Sequence, residues 1–327
     1  MTVDIKFDSN QQFQIEAVNS VVDLFKGSIA SMNAVLDDES SSFLFEQRFF
    51  SNKLNITSEL LLTNLREIQS RKRTKSNGEM ADVISEDLRT ELLNNDSQSD
   101  FSIEMETGTG KTYVYLKTIF ELYLRYGLSK FVIVVPTVAI REGVISTLRL
   151  TKNHFREVYG GIQYDSYVYD SKNVNRIRQF ATSPNLQILI INIAAFNKDH
   201  NIIHKKTDTL EGKAPIDFIQ AVQPIVIMDE PQKLSTVLAM ESIQELHPLF
   251  RLRYSATHKD LHQLVYRLSP LDAYEMRLVK RIDVLSMKAD QNLNVPYIEV
   301  RKITSSVGAV KTTLGLAKNG EIRQFSC

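Results

Sequence analysis

The stretch Phe101-Ser-Ile-Glu-Met-Glu-Thr-Gly-Thr-Gly-Lys-Thr112 constrains this chain more than any other. An apolar run, a glycine-bearing loop and an amphipathic stretch follow one another in the order a phosphate loop needs: strand, turn, helix. Gly108 and Gly110 let backbone N–H groups approach phosphate oxygens with no Cβ in the way. The helix that follows turns its positive end on the anion. In that frame Thr107, Gly108, Thr109, Gly110, Lys111 and Thr112 bind the nucleotide. Lys111 reaches the β- and γ-phosphates, and the Thr112 hydroxyl binds Mg²⁺. Met105 stands where the general pattern has glycine. A chance Gly-rich turn ending in Lys-Thr is disfavoured by the strand before it and the helix after it.

The run Pro224-Ile-Val-Ile-Met-Asp-Glu-Pro-Gln232 supplies a second half-site. An apolar strand delivers two carboxylates at its C-terminal end, the rim where ligands sit in open α/β sheets. Asp229 suits Mg²⁺ as a hard oxygen ligand acting through water. Glu230 suits the orientation of an attacking water, and Pro231 helps to end the strand. An ordinary charged turn would look the same in isolation, so order and spacing decide. Tyr254-Ser-Ala-Thr257 closes a further apolar strand one helix-length later, placing Ser255 and Thr257 where they can hydrogen-bond toward the acidic loop. The segment Phe131-Val-Ile-Val-Val-Pro-Thr-Val-Ala-Ile-Arg141 is a strand stopped by proline and turning into a helix that carries Arg141. Upstream, Gln14 opens a helix. Its amide can read adenine by donating and accepting at once, while Phe7 or Phe13 stacks on the base.

Short apolar runs at residues 101–105, 131–135, 188–193, 225–228 and around 249–254 alternate with helical patterns such as 113–126 and 139–148. That alternation predicts an α/β fold, a mostly parallel sheet with flanking helices. Helices are also expected near residues 11–25 and 58–70. Residues 71–100 read as a polar surface insertion with one short helix, in which Arg71, Lys72, Arg73 and Lys75 form a solvated loop in preference to a phosphate contact. The expected division is an N-terminal helical region (1–100), a nucleotide-binding domain (101–284) and a tail (285–327).

The 327 residues hold 39 Lys+Arg against 39 Asp+Glu, so no global basic field advertises nucleic acid and any such surface is local. The single cysteine, Cys327, allows no intramolecular disulfide, which fits a reducing, cytoplasmic setting. The N-terminal residues lack the pattern of a secretory signal. The apolar runs fall far short of the roughly 20 residues a membrane helix needs. No metal-ligand spacing is evident among the histidines. His258 reads as a loop residue, and Phe196 as core.

Taken together, these motifs resemble those of superfamily 2 helicases and translocases. Gln14 matches the adenine-reading motif, residues 107–112 motif I, 135–141 motif Ia, 229–232 motif II and 255–257 motif III. The tetrad Asp229-Glu-Pro-Gln232, with Val134-Val-Pro-Thr-Val-Ala-Ile-Arg-Glu-Gly143 and Tyr254-Ser-Ala-Thr-His258, resembles the restriction (Res) subunit of type III restriction-modification enzymes over residues 7–284. The resemblance implies a RecA-like P-loop domain using ATP and Mg²⁺. Lys111, Thr112, Asp229 and Glu230 would carry hydrolysis, and Gln232, Ser255 and Thr257 would couple it to movement. It further implies double-stranded DNA and a DNA methyltransferase (modification) subunit as partners, with Thr137, Arg141 and Lys198 against the DNA backbone. Arg141 fits a solvated helix charge equally well. Another superfamily 2 helicase, for repair or RNA remodelling, and a non-catalytic ATP- or DNA-binding remnant are the competing readings.

Nothing after Thr257 resembles the arginine-bearing motif of a second RecA-like domain, and no nuclease motif is recognisable. The expectation is a truncated subunit lacking both domains. Alone, it would bind ATP–Mg²⁺ weakly and hydrolyse it slowly.

Overall fold

The computed structural model describes residues 7–28, 34–36, 49–74, 80–92, 99–258, 261–280, 297–306, 309–318 and 321–326. By its internal contacts the chain divides into two units, Met1–Lys280 and Arg281–Cys327.

The first unit is organised on a seven-stranded sheet: β1 (Asp100–Met105), β2 (Lys130–Val135), β3 (Tyr164–Val168), β4 (Leu186–Asn192), β5 (Ile225–Asp229), β6 (Phe250–Ser255) and β7 (Leu264–Leu268). Its spatial order is β7-β1-β6-β5-β2-β4-β3, and every pairing is parallel. The helices used below are α1 (Gln12–Val22), α2 (Ser58–Gln69), α3 (Lys111–Tyr126), α4 (Val138–Val158), α5 (Asn175–Thr182), α6 (Pro215–Ala221) and α7 (Val237–Glu245).

A strand period of two splits each central strand between two cores. On one face Phe101, Ile103, Phe131, Ile133, Ile188, Ile190, Ile225 and Ile227 pack with α1, α3 and α4. On the other, Val132, Val134, Leu189, Ile191, Val226 and Met228 pack with α5, α6 and α7. Both faces being covered explains why these strands read as continuous apolar runs rather than alternating ones.

The edge strands β3 and β7 have no counterpart among the expected runs. β3 lines a sheet edge and carries Asp165 and Ser166, so only Tyr167 of its five residues is buried. Helix α4 also runs ten residues beyond its expected end, because its buried stripe continues from Val144 and Leu148 through Thr151 to Phe155. It stops before Gly160 and Gly161, both at positive φ. Residues 71–100 hold a two-stranded hairpin, Lys72–Thr74 with Met80–Asp82, and a helix, Glu86–Leu92.

Within the basic cluster there, Lys72 is exposed as expected, but Arg71 and Arg73 are paired rather than solvated. Arg71 Nη2 lies 2.7 Å from Asp23 Oδ2 and Arg73 Nε 3.0 Å from Glu16 Oε2, while the Arg73 guanidinium sits over the Tyr266 ring. Lys75 and Cys327 lie outside the described residues. Among the described residues no helix is long and apolar enough to cross a membrane. The second unit contains an antiparallel three-stranded meander, Tyr297–Ser306, Ala309–Lys318 and Glu321–Ser326.

Candidate functional site: the rim of β1, β6 and β5

The C-terminal ends of β1, β6 and β5 carry the motif residues. β1 breaks into the glycine loop because Gly108 (φ 84°) and Gly110 (φ 88°) occupy the left-handed region that a side chain disfavours. The loop is braced from within: the Thr109 hydroxyl donates to the Glu106 carbonyl at 2.6 Å, and the Thr107 amide to the Glu106 carboxylate at 2.7 Å. Thr109 is therefore turned inward, its amide also donating to the Glu106 carbonyl at 3.3 Å. Gln14 Nε2 donates to the Thr109 carbonyl at 3.0 Å, and a Cβ on Gly110 would come within 2.7 Å of that nitrogen. Gly110 is thus glycine for a close approach as well as for its φ.

Lys111 begins α3. Its Nζ lies 3.2 Å from Glu230 Oε1 and 3.4 Å from the Met105 carbonyl. Lys111 does not meet the acidic pair from a neighbouring strand, since β6 lies between β1 and β5. The side chains meet over the end of the intervening strand, and that strand carries Ser255.

Asp229 is 5% exposed at the end of β5. Burial, followed by the neighbouring Glu230 charge, pushes its carboxyl up to about 6, while the Tyr115 hydroxyl and Lys111 oppose the shift. Tyr115 Oη donates to Asp229 Oδ2 at 3.2 Å. Burial and the Asp229 charge hold that phenol well above its ordinary range, so it stays protonated and able to donate. Glu230 sits in the left-handed region at φ 56°, its amide bonded to the Tyr254 carbonyl of β6 at 3.0 Å. Gln232 Nε2 donates to Glu230 Oε2, and Ser255 Oγ lies 2.7 Å from both Gln232 Oε1 and the Thr257 carbonyl. Lys111, Glu230, Gln232, Ser255 and Thr257 thus form one connected polar chain.

An open cavity of about 380 Å³ adjoins the loop, lined among others by Phe7, Gln11, Gln14, Gly108 and Tyr113. Phe7 stacks parallel on Tyr113, with centroids 5.9 Å apart. Phe13, the other expected stacking ring, is instead core at 5% exposure. Tyr113 and Tyr115 escaped sequence reasoning. Their spacing in the helix after the loop is also that of ordinary core tyrosines.

The residues expected against DNA lie elsewhere on the same rim, past the ends of β2 and β4. Exposed Thr137 caps α4, accepting from the Ile140 amide at 3.3 Å. Arg141 Nη2 is 2.9 Å from Glu142 Oε1, and Lys198 is exposed in the loop after β4.

The residues present fit a metal-bound triphosphate. Among the described residues no acceptor takes the amides of Gly108, Gly110, Lys111 or Thr112. These donors converge at the start of a sixteen-residue helix, beside a lysine whose counter-ion is a single partly exposed carboxylate.

A family model described as "Type III restriction enzyme, res subunit" matches residues 10–260. The chain is 35% identical over 201 residues to the EcoP15I Res subunit of Escherichia coli, covering 55% of this chain and 21% of that protein. It is 32% identical over 305 residues to the EcoPI Res subunit of Escherichia phage P1, covering 86% and 29%. Against the StyLTI Res subunit of Salmonella typhimurium it is 28% identical over 265 residues, covering 68% and 27%. It therefore spans less than a third of the length of these relatives. The UvsW helicase from bacteriophage T4 aligns at 13% identity over 61% of each chain with a TM-score of 0.33. The RecA-like fold class rests on the all-parallel sheet and its strand order. The family match over residues 10–260, together with a phosphate loop and acidic pair on one rim, shows that this chain belongs to the type III restriction enzyme Res subunits, a family of helicase-type, ATP-dependent motors.

Proposed function

We propose that this chain binds ATP with Mg²⁺ and hydrolyses it to drive movement along double-stranded DNA, in the cytoplasm, alongside a DNA methyltransferase subunit. The observation that carries the reading is the meeting of Lys111 and Glu230 at 3.2 Å beside unclaimed loop amides. Lys111 and the amides of Gly108, Gly110, Lys111 and Thr112 take the phosphate oxygens. Arriving phosphate competes with Glu230 for the Lys111 ammonium, so binding releases the Glu230 carboxylate to hold and polarise a water. Gln232 bonds that carboxylate and reaches Ser255, which ties the state of Glu230 to the β6 loop and Thr257. Thr112 and Asp229 would hold Mg²⁺, which when bound neutralises phosphate charge. Gln14, hydrogen-bonded to the loop, reads the base from the adjoining cavity.

The test is equilibrium binding of a fluorescent ATP analogue with Mg²⁺, set beside phosphate release with and without duplex DNA. Lys111→Ala is expected to weaken binding by at least about tenfold, the scale of one lost charge-assisted contact. Glu230→Gln is expected to retain binding and lose turnover. Unchanged binding by Lys111→Ala would sink the reading.

A further inference from the structure

We infer that Tyr115 is a positioning residue, its one buried hydroxyl holding Thr112 and Asp229 in mutual register for the metal. The inference rests on the reading of those two residues as the Mg²⁺ side of an ATP site.

Thr112 and Tyr115 are three apart on α3 and share a helix face. The Tyr115 side chain is fully buried, its hydroxyl 3.2 Å from Asp229 Oδ2. A carboxylate only accepts, so the phenolic proton goes to Asp229 and the bond ties β5 to the helix that carries Thr112. A threonine hydroxyl that gives its lone pair to a hard cation depends on its own helix for its position, and the Tyr115–Asp229 bond fixes that helix against the carboxylate. One phenol therefore touches the two elements, α3 and β5, whose spacing sets the metal site.

The phenol itself is clamped. The Tyr254 ring of β6 meets it edge-on at 5.5 Å, and Tyr254 Oη donates to Thr118 Oγ1 at 3.2 Å. The Tyr254 carbonyl also receives the Glu230 amide. Tyr254 thus supports Asp229 by way of Tyr115, and Glu230 through its backbone. A phenylalanine at 115 would keep the ring packing. The hydroxyl is what joins α3, and with it Thr112, to Asp229.

The experiment uses the full chain, a fluorescent ATP analogue and a Mg²⁺ titration. Tyr115→Phe is expected to raise the Mg²⁺ concentration for half-maximal nucleotide binding by about tenfold. Metal-free binding should stay as in the wild type. Tyr254→Phe, which loses only the bond to Thr118, should shift that midpoint by less than about twofold on the same reasoning. A wild-type midpoint in Tyr115→Phe overturns the inference and leaves the ATP site standing. A wild-type chain whose nucleotide binding ignores Mg²⁺ removes the site reading and this inference with it. Should Tyr115→Phe not fold, fluorine placed ortho to the intact Tyr115 hydroxyl gives a second readout. Its ¹⁹F resonance should move when Mg²⁺ joins the nucleotide-loaded chain and not with nucleotide alone. An unmoved resonance overturns the inference.

Discussion

Glu230 shows how a single residue gathers several constraints. Its left-handed backbone costs on the order of 1 kcal/mol, and its amide bond to β6 is part of what holds it there. Two residues past motif III's Ser255-Ala, His258 makes a different compromise. Its Nε2 lies 3.3 Å from the Ile103 carbonyl, its Nδ1 is buried without a partner among the described residues, and burial pushes its pKa down to about 4. The folded state thus keeps this ring neutral while the unfolded chain takes up a proton near 6.5. Stability contributed by the neutral ring is complete above about pH 6.5 and is lost as pH falls toward 4. His258→Gln, which keeps a donor for Ile103, should flatten that acid loss by up to about 3 kcal/mol. Denaturation midpoints at pH 7 and pH 5 check it: equal acid sensitivity in the variant would show that His258 is not responsible.

Elements are tied together largely by aromatic rings. Phe155 of α4 stacks on Tyr113 at 5.3 Å and meets Phe120 at 4.9 Å, both on α3, so the helix that presents the phosphate loop is locked to the helix after motif Ia. Phe155→Ala removes the centre of this cluster from a fully buried position and should cost about 3–5 kcal/mol, read by urea denaturation. A loss below about 1 kcal/mol would mean the cluster collapses to refill the space. The terminal turns of α4 were hidden in the sequence because Thr151, Lys152 and Asn153 interrupt its apolar pattern. In the fold Thr151 is buried, its hydroxyl donating to the Thr147 carbonyl at 2.7 Å.

At the scale of the whole molecule, neutral net charge confines the proposed DNA binding to a local surface. Thr137, Arg141 and Lys198 stand past the ends of neighbouring strands β2 and β4, so they can act as one patch. Arg141 is held by Glu142 and must exchange that partner for phosphate. Arg141→Ala should weaken duplex binding similarly across sequences and reduce the slope of log affinity against log salt by about one. An unchanged slope would return Arg141 to the role of a solvated helix charge.

The phosphate loop, the acidic pair and the five central strands were legible in the sequence because each is a local pattern: glycines where φ must be positive, and apolar runs where both faces are covered. Placement was not. That β6 lies beside β1, that Arg73 is buried against Glu16, and that Tyr115 reaches Asp229 follow from contacts between residues 57 to 151 positions apart. A linear pattern carries no distance between such partners. Only strand order and helix packing decide which side chains share a volume, and therefore which tyrosine is core alone and which one also bonds Asp229.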